Sequence, residues 1–491
     1  MENVFDQFVS DGRQMKTVGS RIEKKDHVSA PLSGAGSSDP IGKVEMLERS
    51  VIYGADLRTT STPRITVTPE SSPVVRFRSP SGEMFGISDK LLSMHLLLLG
   101  ATGQGKSNAF YFIIDHLMQK MKEDPVKDSV MLIFDTKGDF YNRFYDPHNP
   151  NHIVIGNEAI YSSRSPVWSI FREAYDIDKG IPPVKTLEIR MKEIAAHLFR
   201  GRESETQPFF HLAAADLFVK FAVDYVMNKN ELTTAALISA IKKADAKSMK
   251  EMLERNPEFA SAKSYLGDPE KQTAQALGIL AFLNSMINDL FQGIFNENRP
   301  TGEVSMRELI HDGRGLTIFL EYDLSTGNVL DPMYSLLIDL ALKEALTRQD
   351  DKRPHLYLVA DEFKLLPDLQ HIENALNYGR SKGIRVFAGV QSISQIYEAY
   401  GEDEGNSILS GFLNCFAFKT LDKKSREYTS ERFGKNYSNI NYRTDLNNHS
   451  VQREGYAVED WNILDLDIGD AYIGLLGYPP FRFHFSLYDK E

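Results

Sequence analysis

The chain has 491 residues, 42% of them hydrophobic and 25% charged, a balance typical of soluble globular proteins and a length that predicts two or three packed units. The formal net charge of −12 excludes a uniformly basic surface for holding nucleic acid, although a locally basic channel inside an acidic exterior is compatible with it. One cysteine, Cys415, leaves no intramolecular disulfide, and we see neither a signal peptide nor an apolar run of roughly 18 residues, so we expect a cytoplasmic protein.

The first 90 residues carry little sign of a large core. Residues 1–45 have few large apolar groups and include the stretch Pro31–Pro40 (PLSGAGSSDP), which predicts a flexible leader. Residues 46–90 contain short β-prone runs, Arg64–Thr68 and Val74–Arg78, separated by turn signals. They predict a small β element that leads into the core.

Residues 91–183 have the pattern of the first part of a nucleotide-binding domain. Met94–Leu99 and Ser129–Phe134 are almost continuously apolar, as buried strands are, and an amphipathic helix is predicted from Ser107 to about Lys122. Apolar strands that alternate with helices imply a parallel sheet covered on both faces. We therefore predict an α/β fold with a mainly parallel sheet, and together with the glycine-rich loop described below this favours a RecA-like P-loop NTPase core.

The strand pattern stops at about residue 184 and resumes after residue 300. Pro208–Met227 and Thr273–Phe295 have apolar residues at helical spacing, so 184–300 is predicted to be an inserted all-α domain. Residues 301–491 are predicted to be the second part of the nucleotide-binding domain. Its candidate strands are Leu316–Leu320, Leu356–Ala360, Ile384–Ala388 and Cys415–Phe418.

A glycine-rich loop follows the first core strand and opens the first core helix, the context that a phosphate-binding P-loop requires. Its residues are Gly100, Ala101, Thr102, Gly103, Gln104, Gly105, Lys106 and Ser107. The glycines let backbone N–H groups point at phosphate oxygens, and the helix N-terminus adds partial positive charge. Lys106 would reach the β- and γ-phosphates of ATP, and the Ser107 hydroxyl would bind Mg²⁺. The alternative, a chance glycine-rich turn, is weak when motif and context occur together.

Two carboxylates stand at the end of the strand Leu356–Ala360, the place where ligands bind in open α/β sheets. Asp361 would hold Mg²⁺ through water, as a Walker B residue does. Glu362 would orient and deprotonate the attacking water. A solvated acidic cap is the alternative for this pair.

Three further positions are candidates for parts of the hydrolytic site. Gln391 ends the next strand and could contact the γ-phosphate or the attacking water, although a polar residue leaving the sheet is the plain alternative. Arg380 could act as an arginine finger in a neighbouring subunit, with Arg385 as a second choice and a surface salt bridge as the alternative. Asp135 could support the metal site, with Gly138 permitting a tight turn, or the two could simply form that turn.

Several motifs together resemble the TraG/TraD-type conjugative coupling proteins, within the FtsK/HerA group of ring ATPases. The motifs that carry the resemblance are Phe134–Asp139, Val359–Phe363, Ala375–Ile384, Ala388–Gln395 and Tyr400–Gly401. Weaker similarity at Ser165–Trp168, Pro208–Ala214 and Phe416–Gly434 extends it over about residues 90–490. In that family the acidic pair, an arginine and a glutamine occur in this order; here they match Asp361, Glu362, Arg380 and Gln391.

The resemblance implies a homo-hexameric ring, monomeric when free in some cases, that binds ATP between subunits and moves DNA through a central channel. It also implies a relaxosome and secretion-channel proteins as partners. Family members usually have N-terminal membrane helices, which we do not find, so we expect attachment to the inner membrane through a partner at most.

Two other functions stay open at this point. The first is a cytosolic HerA-like motor that processes DNA together with a nuclease. The second is a nucleotide-dependent adaptor that recruits substrate proteins through its helical domain. The lysines at 242, 243, 247 and 250 could contact DNA, but such a run is more often a solvated face.

Overall fold

The structure is a computed structural model. It describes residues 45–57, 73–124, 126, 128–200, 208–229, 231–267, 273–298, 301–349, 355–366, 369–443 and 447–489. The predicted leader, apart from Glu45, and the run Arg64–Thr68 lie outside the described residues.

The strands are β1 (Glu45–Gly54), β2 (Val75–Arg78), β3 (Met84–Ile87), β4 (Leu96–Leu99), β5 (Val130–Asp135), β6 (His152–Gly156), β7 (Val167–Trp168), β8 (Glu303–Val304), β9 (Leu316–Glu321), β10 (Leu356–Ala360), β11 (Ile384–Val390), β12 (Asn414–Phe418), β13 (Lys435–Arg443), β14 (Asn448–Tyr456), β15 (Asp470–Gly474) and β16 (Phe481–His484).

The α-helices are α1 (Asp89–Leu92), α2 (Lys106–Glu123), α3 (Asp139–Phe144), α4 (Ala159–Ser162), α5 (Ile170–Ala174), α6 (Val184–Leu198), α7 (Pro208–Asn228), α8 (Thr234–Lys243), α9 (Ala246–Arg255), α10 (Lys263–Leu266), α11 (Ala274–Leu290), α12 (Met306–Asp312), α13 (Asp331–Leu346), α14 (Ile372–Asn377), α15 (Ile393–Tyr400), α16 (Glu402–Gly411), α17 (Lys423–Phe433) and α18 (Asp460–Leu464).

A nine-stranded sheet forms the centre of the molecule, in the order β16-β15-β12-β4-β11-β10-β5-β9-β6. The strands from β12 to β6 are parallel to one another, and β15 and β16 extend the β12 edge in antiparallel fashion. Helices follow most of the parallel strands, as right-handed crossovers require. The predicted α/β fold with a mainly parallel, RecA-like core and an inserted helical region is confirmed.

The apolar runs of the central strands are explained by burial on both faces of the sheet. Leu97 and Leu99 belong to the hydrophobic core on one face, whereas Leu96 and Leu98 belong to the core on the other face. Successive side chains of a strand point to opposite faces, so a strand covered on both sides needs apolar residues at every position. This continuous pattern is the signal that made these strands predictable.

The helical region lies between β6 and β9, which are neighbours in the sheet. Its helices α6 to α11 cover 184–290, and Met191, Leu217 and Leu283 from three of them are buried in the same core as Leu97. The helices therefore share the core on one face of the sheet. The exact domain boundaries, 184 and 300, stay a prediction.

The strands of residues 46–90, predicted as one small β element, belong to two separate sheets. β2 and β3 form a hairpin whose Phe77 and Phe85 pack against aromatic residues of the main core. β1 instead pairs with β13, which comes from the far end of the chain, and β14 completes this three-stranded sheet. The prediction missed this pairing because it joins segments that are remote in sequence.

Candidate functional site

The P-loop connects the carboxyl end of β4 to the first turn of α2. Gly103 and Gly105 have φ angles of 77° and 110°, which side chains with a Cβ rarely adopt. Gly100 has a different reason to be glycine: a Cβ there would lie 2.6 Å from the Cβ of Phe418. Gly105 supplies no side-chain cap, so the first N–H groups of α2 have no side-chain acceptor. The loop therefore offers unpaired donors at a helix N-terminus, which is the chemistry of an anion site.

Lys106 is folded back against its own loop. Its Nζ donates to the carbonyl oxygens of Gly100, at 2.6 Å, and Ala101, at 3.2 Å. Burial lowers the pKa of Lys106, while the carboxylates of Asp361 and Glu362 raise it. The buried ammonium is thus held beside the acidic pair.

Ser107 and Asp361 are in direct contact. The Ser107 Oγ donates to Asp361 Oδ2 at 2.7 Å, although the two residues come from different strand–loop units. Gly389 of β11 packs against this point, because a Cβ there would lie 2.3 Å from the carbonyl oxygen of Asp361. The two oxygen groups that were predicted to hold Mg²⁺ converge, and hard oxygen donors of this kind suit that ion.

Glu362 and Gln391 form the second contact of the site. Gln391 Nε2 donates to both carboxylate oxygens of Glu362 at 2.9 Å, and Glu362 is buried. The amide fixes the direction of the carboxylate, so Gln391 is a residue that positions the candidate base. The solvated-cap alternative does not fit a buried carboxylate that is held in this way.

Asp135 is used to build a turn. Its Oδ1 accepts from the backbone N–H of Lys137 at 3.1 Å, and its Oδ2 accepts from Phe140 and Tyr141 at 2.7 and 3.1 Å. Burial raises the pKa of Asp135, and these three N–H groups lower it. Gly138 in the same turn has a φ of 70°, so the structural alternative for this pair describes its contacts well.

A second buried carboxyl group, Glu321, lies beside Asp135 and was not predicted. The two residues are partners in the β5–β9 register, at the carboxyl ends of both strands. Burial, together with the charge of Asp135, raises the pKa of Glu321 to about 9, and Tyr161 hydrogen-bonds to it. Glu321 therefore carries a proton at neutral pH. Its position at the carboxyl end of a buried strand is the same kind of signal that identified Asp361.

The two candidate arginines lie at the other edge of the sheet. Arg380 is exposed in the turn before β11, and the seven residues of that strand separate it from the P-loop edge by about 20 Å. It cannot reach the P-loop of its own chain. Arg385 is buried and pairs with Asp89 at 3.3 Å, so the second choice for an arginine finger is wrong.

Other charged candidates have ordinary surroundings. The side chains at 242, 243 and 247 are exposed, and Lys250 Nζ donates to the carbonyl oxygen of Gly267 at 3.0 Å. These surroundings agree with a solvated surface formed by the end of α8 and by α9. Within the described ranges there is no cluster of three or more His, Cys, Asp or Glu side chains arranged to hold a metal.

Comparison with known proteins decides the family. The family model of the type IV secretion-system coupling protein DNA-binding domain matches residues 84–447, which is most of the chain. The chain belongs to this family of coupling proteins. The predicted resemblance to TraG/TraD-type proteins is thereby confirmed.

Individual relatives of this coupling protein are distant. Coupling protein TraD of Escherichia coli (strain K12) is 21% identical over 344 residues, which are 69% of this chain and 43% of TraD. The chain thus matches less than half of that relative's length.

Two structures of TrwB share the fold. The plasmid coupling protein TrwB in complex with ADP and Mg²⁺ has a TM-score of 0.69 at 20% identity, covering 93% of this chain and 98% of TrwB. The unbound monoclinic form of TrwBdeltaN70 has a TM-score of 0.68 at 19% identity, covering 89% and 95%. At such identities the likeness shows the fold. Among the helices of the described residues, none is both long and apolar enough to cross a membrane.

Proposed function

We propose that this coupling protein is a Mg²⁺-dependent ATPase motor that moves DNA, or a DNA–protein complex, through a homo-hexameric ring. The observation that carries the proposal is the convergence of Ser107 on Asp361 and of Gln391 on Glu362 at the open end of the P-loop. The relaxosome and secretion-channel proteins are the partners that the family implies.

The residues of the loop fit a bound nucleoside triphosphate. A Cβ on Gly103 would meet no atom within 4 Å, so the mouth of the loop is open at that point. An open, glycine-lined helix N-terminus with a buried lysine suits phosphate, and TrwB, which has the same fold, was solved with ADP and Mg²⁺.

The chain's own groups can perform hydrolysis. Lys106 neutralises phosphate charge, and the Ser107 and Asp361 oxygens would hold Mg²⁺, which supplies further neutralisation of the phosphates when bound. Glu362, aimed by Gln391, orients the attacking water and accepts its proton. Arg380 would act on the site of a neighbouring subunit, since it lies far from its own.

The test is the ATPase rate of the full chain with added single-stranded and double-stranded DNA. We expect stimulation by one of the two forms together with a shift toward the hexamer. Lys106→Ala should abolish nucleotide binding, because it removes the buried cation from the loop. Glu362→Gln should bind ATP and hydrolyse it at least about 100-fold more slowly, since about 100-fold is the lower end of the range that general base catalysis contributes.

Exposed Glu83→Gln is the matched control and should keep the wild-type rate. Normal turnover by Glu362→Gln would refute the assignment of the base. Genuine basal turnover that neither form of DNA stimulates would refute the DNA cargo and point to a protein cargo instead.

A further inference from the structure

Lys137 is a second lysine close to the candidate site, and the proposed hydrolysis gives it no function. It follows β5 in the turn that Asp135 organises, and its backbone N–H donates to Asp135 at 3.1 Å. Its side chain is exposed, and no carboxylate of the described residues forms a salt bridge with it. The backbone of Lys137 is therefore fixed while its ammonium group is left free to bind.

The sheet order places this turn next to the acidic pair. β5 is the neighbour of β10, with Phe134 opposite Ala360, so Asp135 at the end of β5 and Asp361 just after β10 lie at the same edge of the sheet. Neighbouring strands are about 4.8 Å apart. Lys137 thus approaches the P-loop from the side of Asp361, which is in contact with Ser107.

The charges of the two lysines act on each other. Lys137 lowers the pKa of Lys106, in addition to the larger effect of burial, so the ammonium groups lie within range of charge repulsion. Two like charges held close together are unfavourable unless an anion lies between them. Asp361 and Glu362 already face Lys106, whereas Lys137 forms no salt bridge with the described residues.

We propose that Lys137 binds the terminal phosphate of a nucleoside triphosphate held on the P-loop of the same subunit. The terminal phosphate is the group that reacts beside Asp361 and Glu362, and Lys137 comes from that side. The turn built by Asp135 and Gly138 would then fix the backbone from which the Lys137 side chain reaches the phosphate. This inference rests on the proposed ATPase function and adds a catalytic residue to it.

The experiment compares the binding of Mg-ADP with that of Mg-ATPγS to the full chain by calorimetry. In Lys137→Met we expect the affinity for ATPγS to fall about 10- to 100-fold, the value of one charge-assisted contact, while the affinity for ADP is unchanged. Lys137→Arg keeps the charge and should recover most of the loss. Lys122→Met, at the exposed far end of the P-loop helix, is the control and should alter neither affinity.

The outcomes separate the two proposals. If Lys137→Met binds ATPγS and ADP in the wild-type ratio, Lys137 makes no contact with the terminal phosphate and the inference is overturned alone. An equal loss for both nucleotides would overturn it as well, because a general disturbance of the loop would explain the result. If the wild-type chain binds neither nucleotide, the proposed function fails and this inference fails with it.

Discussion

The buried carboxyl of Glu321 makes the stability of the fold depend on pH in a way that one substitution can remove. Its pKa rises from the ordinary value of 4.5 to about 9, because burial disfavours the charged form and Asp135 lies next to it. At a pH between these two pKa values, the Glu321 carboxyl is ionised in the unfolded chain and protonated in the folded chain. The contribution of Glu321 to the free energy of unfolding is therefore fully present below the pKa of the unfolded chain. It is lost progressively as the pH rises toward the pKa of the folded chain.

The size of the effect follows from the linkage slope, which is about 1.4 kcal/mol per pH unit. From about pH 5.5 to about pH 8 the wild type should lose about 3 kcal/mol through this group. Glu321→Gln keeps the shape and can still accept from Tyr161, but it has no proton to release. Over the same pH interval, the free energy of unfolding of the variant relative to wild type should therefore rise by about 3 kcal/mol.

The assay is the melting temperature of both proteins at the two pH values. For a folding unit of 150–250 residues, 3 kcal/mol corresponds to a change of about 6–12 °C in the gap between variant and wild type. Exposed Glu83→Gln is the control and should give a gap that does not change with pH. A Glu321→Gln gap that is equal at both pH values would show that this carboxyl is ionised in the folded protein.

Two further substitutions test the turn and the ring. Gly138→Ala should cost about 1–3 kcal/mol of stability, because φ is 70° and the new Cβ would lie 2.8 Å from the Tyr161 hydroxyl. A double-mutant cycle with Tyr161→Phe, read by thermal unfolding, should show coupling; strict additivity would contradict the steric reasoning. Arg380→Ala mixed with wild-type chains should reduce ATPase activity more than in proportion to its share, because each mutant silences a neighbour's site. A strictly proportional decrease would exclude action in trans.

The parts of the fold that could be predicted are those whose pattern is local. β4, β5, β10 and β11 are buried on both faces, so each is a continuous apolar run with a turn at its end. The same logic located Asp361, Glu362 and Gln391, because ligand-binding side chains follow such runs at the carboxyl edge of the sheet. It applies equally to Glu321, which is the last residue of β9 and was overlooked only because no motif marks it.

The parts that could not be predicted depend on remote partners. β13 (KNYSNINYR) is polar and has no regular alternation, and it becomes a strand because β1 and β14 pair with it. Arg385 looks like a surface residue in the sequence, yet it is buried against Asp89, 296 residues away. Burial of a charge is decided by the tertiary partner, which a local pattern does not contain.

One strand links the two ends of the proposed mechanism. β11 ends next to Gln391, which holds Glu362, and it begins just after the turn that carries Arg380. All seven of its residues are buried, and it is hydrogen-bonded to β10 on one side and β4 on the other, so it cannot stretch or change register without breaking both ladders. A displacement of Gln391 in one site would therefore move Arg380 as part of a rigid sheet. In the proposed ring, this strand would join Gln391 at one subunit's own site to Arg380, which would face the site of a neighbouring subunit.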